Sequence, residues 1–503
     1  MKSIQENTYI SFLEKNNSDL KLLDTEEINI DDYNNSNNNT NNNLAKKSKN
    51  SMKKTLHLKL GSISNIVFPI YDKKNGISST GSFGKNCVEI NIDNGLGGYY
   101  KTINKDRFKT VVKYKYQKHA IFNLNTDKES PFADEKNIQD FSSKFSSIFH
   151  SIKHSKGLVF IFSHYIEQGT LPLALMLEQN GFARSCSNGE ADLLEYSPNK
   201  FKKGGKKQPI CYRCGMEIKN ELHQNQKLND FHHFKQAKYI LYFGESRDII
   251  KINKDEALNK FSNQNNIYGE EVKVFIGTRA VSEGLDFKRI RQVHIIDPWY
   301  NLSRHEQIIG RAIRNNSHIE LPAEERNVEV YQYASILNKN DKKEITKRES
   351  IDLKIYRMAE HKDLIIKKIN RLMKESAVDC VLFKKANIIE TKQNVKQINS
   401  NGNIIEVSIR DKPYTPLCDY QKICDYKCTW EPNPRKKYPV NNDTYNIRYA
   451  YNDIQKSKKI IKDLFKKNIV YDLKTIEYFV LQKYHDMNKL FIYSALEELV
   501  NNK

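Results

Sequence analysis

The middle of this chain predicts an α/β domain built on a parallel sheet, on three observations. Short apolar runs at Leu158–Phe162, Ala237–Tyr242, Val272–Ile276, Gln292–Ile296 and Val328–Tyr333 read as strands, rich in β-branched and aromatic side chains. Helical stretches at Leu171–Asn180 and Leu302–Arg314 separate some of them, and such alternation implies right-handed crossovers between parallel strands. Third, Gly277-Thr278-Arg279 follows a strand directly, at the carboxyl end where such sheets place their ligands.

The second helix carries the chemistry. Gln307, Arg311 and Arg314 sit at i, i+4 and i+7, so a continuous helix projects all three the same way. Ser303-Arg304-His305-Glu306 reads as the capping box that opens it. A positioned arginine row is what phosphoryl-transfer sites use to neutralise charge on a transferring phosphate. Alone, the helix reads better as a surface helix with two solvated arginines; the glycine-punctuated strand before it shifts the balance.

On these residues a family resemblance becomes specific. Thr278 to Asp286 resembles motif V of superfamily 2 helicases, Gln307 to Arg314 matches their Q-x-x-G-R-x-x-R motif VI, and Gly157 to His164 resembles motif IV. Ser143-Lys144-Phe145 resembles the opening of the same lobe in Swi/Snf-type enzymes. Ile63 to Pro69 resembles the S-N-x-x-F-P segment that links the two lobes in helicases of large cytoplasmic DNA viruses. The chain is thus similar to Swi/Snf-related helicases of nucleocytoplasmic large DNA viruses, of the type related to poxvirus early transcription factors. The resemblance covers roughly residues 60–500 and concentrates between 143 and 335.

It implies a single RecA-like helicase C-terminal lobe and a set of roles. Arg311 and Arg314 would contact the γ-phosphate of ATP, with Arg314 as the finger, and Gln307 would orient the attacking water or the phosphate. Ser163 and Thr278, with Arg279 beside them, would hold the nucleic-acid backbone. Gly284 and Asp286 would approach the nucleotide sugar.

A helicase motor also needs a G-x-x-x-x-G-K-[ST] phosphate loop and an acidic pair for magnesium. No such loop occurs in the sequence: Gly84-Lys85-Asn86 has the wrong third residue, and Gly204-Gly205-Lys206-Lys207 lies in a basic stretch without a strand. Asp134-Glu135 follows Pro131-Phe132-Ala133 and reads as a helix start. ATP and Mg are therefore expected to be shared with a Walker-bearing lobe that this sequence lacks, and catalysis by the chain alone is not expected.

Lys and Arg outnumber Asp and Glu by 82 to 61, a formal charge of +21, which favours a polyanionic partner through counterion release. With helicase motifs present, nucleic acid, DNA or RNA, is the expected partner; charge alone would equally fit a lysine-biased surface. No run reaches the length of a membrane span and Met1–Leu20 is polar, so neither a membrane anchor nor a secretion signal is expected. Eight cysteines without a secretion signal fit an intracellular, reducing compartment, with metal favoured over disulfides. The resemblance adds the cytoplasm of an infected host cell, or the virion, as its setting.

The expected organisation follows from composition. Residues 1–60 hold the asparagine tract Asn34–Asn43 and Lys46, Lys47, Lys49, Lys53 and Lys54, and bury too little apolar surface to offset ordering entropy, so disorder is expected. Residues 61–139 read as linker and loop, with glycine- and serine-rich Gly76–Tyr100 looping out. The lobe spans 140–335. Within it, 184–234 is an insert bearing Cys211-Tyr212-Arg213-Cys214, His223, His232 and His233. Thiolates and imidazoles match a tetrahedral structural zinc, and the bland alternative is a hairpin with surface histidines. The viral helicases that the chain resembles carry a comparable insert, which implies Cys211, Cys214, His223 and His233 as ligands, with His232 as a substitute for His233.

Residues 336–440 read as a helical, cysteine-containing extension whose Cys380, Cys418, Cys424 and Cys428 could hold a second metal. Residues 441–503 read as three short helices, a packing bundle or a truncated winged helix. The readings of function are a motor half paired with a Walker-bearing protein, acting in viral transcription or DNA metabolism; a non-catalytic nucleic-acid-binding factor; and a truncated reading frame.

Overall fold

The computed structural model describes residues 3–16, 57–72, 76–79, 88–93, 111–116, 121–122, 130–185, 192–194, 208–226, 231–243, 254–281, 285–338, 349–389, 393–431 and 450–501. The asparagine tract and the basic runs at 46–54 and 200–207 lie outside them.

Helix α1 (Ser3–Lys15) buries Tyr9, Ile10 and Leu13 against Leu60, Leu337, Ile351 and Ile355. The disorder expected of residues 1–60 therefore fails here and in the helical stretch 57–65. Apolar side chains at i, i+1 and i+4 share one helical face, and burying them offsets the entropy of ordering the helix. The loop expected over 61–139 is corrected too. It contains three antiparallel pairs: β1 (Pro69–Asp72) with β2 (Gly76–Ser79), β3 (Val88–Asp93) with β4 (Val111–Tyr116), and β5 (Ile121–Phe122) with β6 (Ser130–Pro131). The missed signal is period-two alternation, Val88-Glu-Ile-Asn-Ile-Asp and Val112-Lys-Tyr-Lys-Tyr, which belongs to strands.

The lobe follows as α2 (Ser143–His154), β7 (Leu158–Phe162), α3 (Leu171–Gln179), β8 (Ala183–Arg184), β9 (Lys238–Tyr242), α4 (Lys254–Ser262), β10 (Val274–Gly277), β11 (Ile290–Ile295), α5 (Leu302–Ala312) and β12 (Glu329–Gln332). Six strands form one sheet in the order β12-β11-β7-β10-β9-β8, every pairing parallel. All five expected strands are present, within two residues at either end. β7 lies between β11 and β10 and is buried on both faces, which is why it reads as an unbroken apolar run. Val159 and Ile161 face Phe145, Ile148 and Ile152 of α2 and the apolar side of α3. Leu158, Phe160 and Phe162 face the opposite core, where Phe275 and Phe160 each lie 4.9 Å from Phe287 between ring centroids.

Helix α5 differs from expectation at both ends. Asn301, not Ser303, is its N-cap, accepting from the Arg304 amide at 3.3 Å. At the far end Ile313 leaves helical geometry (φ −109°, ψ 94°), so Arg314 lies beyond the helix and is not placed by an i+7 relation to Gln307. Ser317 Oγ accepts the Arg314 amide at 3.2 Å instead, a side-chain substitute for the missing helical turn.

After the lobe, α6 (Ile351–Ser376) supplies the expected long helix. The rest of the extension holds a hairpin of β13 (Gln393–Ile398) and β14 (Ile404–Ile409) that was not expected. Its turn is stapled to the sheet: Ser400 donates its amide to Glu329 at 3.0 Å, and Arg291 donates to the Ile398 carbonyl at 2.5 Å. Cys418 and Cys424 are joined as a disulfide, where metal had been favoured over disulfides.

Cys428–Lys503 form a separate compact unit. There α7 (Tyr451–Phe465), α8 (Leu473–Lys483) and α9 (Lys489–Asn501) pack around Ile454, Ile461, Ile476, Val480, Ile492 and Ala495. Asp472 caps α8 by accepting the Thr475 amide at 2.9 Å. Among the described residues no helix is long and apolar enough to cross a membrane.

Candidate functional site

The residues expected to act fall into two groups rather than one. The first gathers at the carboxyl ends of β7, β10 and β11. Asp297, two residues past β11, is buried. It accepts from Ser163 Oγ at 2.6 Å, the His164 amide at 2.7 Å and Asn65 Nδ2 at 3.0 Å. Burial pushes its carboxyl above the usual range, against those bonds and the nearby Lys144 charge. Ser163 is itself fully buried, and its oxygen also accepts the Tyr165 amide at 3.1 Å. This corrects the reading of Ser163 as a backbone contact: its hydroxyl is spent inside the protein, where it shapes the turn. Gly169 is demanded by the same turn, since a Cβ there would overlap Ser163 Oγ.

Beyond that turn the His164 ring stacks on Trp299, centroids 4.1 Å apart at 25°, and the Arg304 guanidinium lies 5.2 Å from the Trp299 ring. Burial, with the charges of Arg304 and Arg279, pushes the His164 imidazole down to about 3, so it stacks as a neutral ring. Thr278 is buried at the end of β10 while Arg279 beside it is exposed. The sequence reading gave no role to Asp297, Trp299 or Arg304. The signal available was an Asp-Pro-Trp run directly after an apolar strand.

The second group lies at the far end of α5, an eleven-residue helix and thus roughly 16 Å long. Arg311 Nη1 donates to the Leu285 carbonyl at 3.2 Å, and the Arg311 carbonyl accepts the Phe287 amide. Arg314 pairs with Asp286 at 3.4 Å, both side chains about half exposed (48% and 56%). Gln307 is exposed on the helix between the two groups. Gly284 lies outside the described residues.

The insert brings together Cys211, Cys214, His223 and His232, their ligand atoms all within 4.8 Å of one another. Cys211 Sγ is 3.4 Å from His232 Nε2, and Cys214 Sγ is 3.2 Å from His223 Nε2. A tetrahedron with bonds of about 2.3 Å to sulfur and 2.0–2.1 Å to nitrogen has edges near these lengths. His223 Nδ1 lies 3.1 Å from the Glu217 carbonyl, the outer contact that orients a ligating imidazole. His233 is not in the cluster; the fourth position belongs to His232, whose amide donates to the Leu222 carbonyl at 3.3 Å. The hydrogen bond from Cys214 holds the Cys211 thiol below its ordinary range. The knuckle is tied into the sheet, since buried Lys273, one residue before β10, donates to the Tyr212 carbonyl at 2.7 Å.

Residues 216–316, which enclose both ends of α5, match the helicase conserved C-terminal domain. The chain carries a helicase C-terminal lobe. Its relatives lie among the nucleocytoplasmic large DNA viruses. Over 476 residues the chain is 27% identical to a protein of Acanthamoeba polyphaga mimivirus named as an ATP-dependent RNA helicase, across 87% of this chain and 39% of that one. It is 26% identical over 371 residues to a protein named as a helicase in Invertebrate iridescent virus 3, across 73% of this chain and 30% of that one. It is 26% identical over 248 residues to a termination factor NPH-I homolog of African swine fever virus, across 48% of this chain and 33% of that one. The chain thus spans between about three tenths and two fifths of these relatives' length. The six-stranded parallel sheet is the RecA-like scaffold of this helicase lobe.

Proposed function

We propose that this helicase lobe is the half of an ATP-dependent nucleic-acid motor, related to Swi/Snf enzymes, that carries motifs IV, V and VI. ATP and Mg would be held by a Walker-bearing lobe, on a further stretch of the same polypeptide or on another chain. The observation that supports this best is that the helicase match encloses a helix with Gln307 and Arg311 on it and Arg314 just past its end.

Arg314 is half exposed and bound only loosely to Asp286, so it can swing to a γ-phosphate presented from outside the lobe. There its charge would stabilise the transferring phosphoryl group, as an arginine finger does. Arg311, anchored to the Leu285 carbonyl, would hold the neighbouring phosphate oxygens, and Gln307 would orient the attacking water. Gly284 and Asp286 remain the candidates for the nucleotide sugar.

Nucleic acid would lie across the strand ends, on Arg279, Trp299 and Arg304, with Thr278 shaping the turn beneath. Such contacts go to backbone and base faces, so binding is expected to be largely independent of sequence. Cys211, Cys214, His223 and His232 would hold one structural zinc. Viral transcription is the process that the termination-factor relative favours.

The test is nucleic-acid-stimulated ATP hydrolysis. The 503-residue chain by itself should show none, and adding a separately expressed Walker-bearing helicase lobe should produce it. Hydrolysis by the chain alone would sink the reading.

A further inference from the structure

Segment 62–68 is held in the lobe by a cage of buried polar groups that α/β packing does not require. Asn65 is fully buried. Its Nδ2 donates to Asp297 Oδ1, its Oδ1 accepts from Lys144 Nζ at 2.8 Å, and its carbonyl accepts from Ser142 Oγ at 2.5 Å. Lys144 Nζ also donates to the Ile296 carbonyl at 3.0 Å and pairs with Asp352 at 2.7 Å, both side chains 1% exposed. Gln5 of α1 donates to the carbonyls of Ile63 and Ser64, and Ser335 Oγ donates to Ser64 at 2.7 Å. One atom joins this cage to the strand ends: Asp297 Oδ1 is shared by Asn65 and Ser163.

Resting on the nucleic-acid reading of the strand ends, we infer that Asp297 is a positioning residue through which the seat of segment 62–68 sets the His164–Trp299 stack. With Asn65 seated, Oδ1 has two donors and Oδ2 takes the His164 amide, which fixes both oxygens and so the turn between Ser163 and Tyr165. With Asn65 withdrawn, Oδ1 keeps one donor in a buried site, and the carboxylate is free to rotate. His164 and Trp299 then lose their register, because the His164 amide is held by that carboxylate and Trp299 lies two residues beyond it. A displacement of the segment is thereby felt at the strand ends without any contact between segment and nucleic acid. A buried polar network fits this task because removing one partner leaves the others unsatisfied.

Trp299 reports on the coupling directly. The chain has two tryptophans, so a Trp430→Phe background leaves Trp299 as the sole indole. Asn65→Ala and Asp297→Asn should each raise acrylamide quenching of Trp299 by about twofold, as local opening of the turn requires. Ile152→Val, a buried change in α2 eight residues beyond Lys144, should lower the melting temperature without moving the quenching. Ser163→Ala, nearly isosteric, should act like Asn65→Ala, and the double variant should depart from the sum of the two single changes, since both donate to one oxygen. Quenching unmoved by Asn65→Ala, or additive in the double variant, would overturn the inference. A dT20 oligonucleotide supplies the second readout: Asn65→Ala should weaken its binding about fivefold, roughly 1 kcal/mol. If the parent chain does not bind dT20, the nucleic-acid reading fails, while the Trp299 measurement still decides the coupling.

Discussion

The two ends of α5 are built on opposite plans. At its start, the strand-end face is fully committed: Asp297, Ser163, Asn65 and Lys144 are buried and bonded to one another before any ligand arrives. At its finish, Arg314 and Asp286 meet at 3.4 Å with about half of each side chain in water, a geometry that stabilises little. A preorganised face can bind by itself, because its ordering entropy is met in folding. A loosely tethered arginine is useful only when something else presents a phosphate to it. The contrast therefore argues that nucleic-acid binding belongs to the lobe alone, whereas phosphate chemistry belongs to an assembly.

The sharpest way to break that division is at the loose end. In the assembled motor, Arg314→Ala should reduce nucleic-acid-stimulated ATP turnover about 10³-fold, the low end of an arginine finger's contribution. It should leave oligonucleotide affinity of the lobe alone within about twofold. Asp286→Asn, by contrast, should release Arg314 without removing it and cost far less turnover. If Arg314→Ala weakened nucleic-acid binding as much as it slowed turnover, the two ends would be one site and the division would be wrong.

Next in size is the knuckle, which resembles the committed end in being wired into the sheet through Lys273 and Tyr212. The chain should carry about one zinc, because two thiolates and two imidazoles converge there. Cys211→Ser with Cys214→Ser should abolish it. His232→Ala should weaken metal retention by at least tenfold, while His233→Ala should not. Loss of zinc from His233→Ala alone would restore the ligand set expected from sequence.

How much of this was legible follows the same physical line. β7 and β10 were readable because a strand buried on both faces must be apolar throughout, and Arg311 and Gln307 because helical spacing fixes what they share. Arg314 was misplaced because the stop signal in the sequence, Asn315-Asn316 with Asn316 at φ +60°, lies just past it, whereas the helix ends earlier, with the Arg314 amide held by the Ser317 hydroxyl. Ser163 was assigned outward through the resemblance of Gly157–His164 to motif IV, and only the burial of Asp297 beside it shows where its hydroxyl is engaged. His232 and His233 are adjacent and identical, so their choice depends on backbone direction alone. The strands between 76 and 116 were hidden by glycine-rich flanks that outweighed a clear alternation.

At the committed end, binding should be salt-dependent and modest in its response to single changes. Arg279→Ala should weaken single-stranded oligonucleotide binding about tenfold, consistent with loss of an exposed phosphate contact, and should flatten the plot of log affinity against log salt by about one unit or less. Thr278→Ala should do less, because Thr278 is buried and acts on the turn. Affinity indifferent to salt and to both changes would remove nucleic acid from the strand ends and leave the lobe as a protein-binding scaffold.

The smallest effect is a dependence of stability on pH, and it separates the ends by their imidazoles. Burial lowers His164 and His294 to about 3 and His305 to about 4. A histidine whose folded value lies below its ordinary 6.5 contributes stability that is present above 6.5 and lost as pH falls toward the folded value. Glu178 runs the other way: burial pushes it up to about 7, so its contribution is present below its ordinary 4.5 and lost as pH rises through 7. Asp297 and Asp352, also raised by burial, oppose the imidazoles from their ordinary range upward, while burial lowers His154 and His318 as well. Between 6.5 and 4.5 the lowered imidazoles outnumber the raised carboxyls, the unfolded chain takes up more protons, and the melting temperature should fall on going from pH 7 to pH 5. Each unmatched proton is worth about 1.4 kcal/mol per pH unit. Melts should be run on the Cys211→Ser, Cys214→Ser variant, so that protonation of zinc ligands does not enter. Replacing His164 with Asn should flatten the slope, since it removes one of the neutral rings, whereas Arg314→Ala should leave it unchanged. A lobe equally stable at pH 5 and pH 7 would mean that the strand-end imidazoles are open to water, and that the committed end is no better ordered than the loose one.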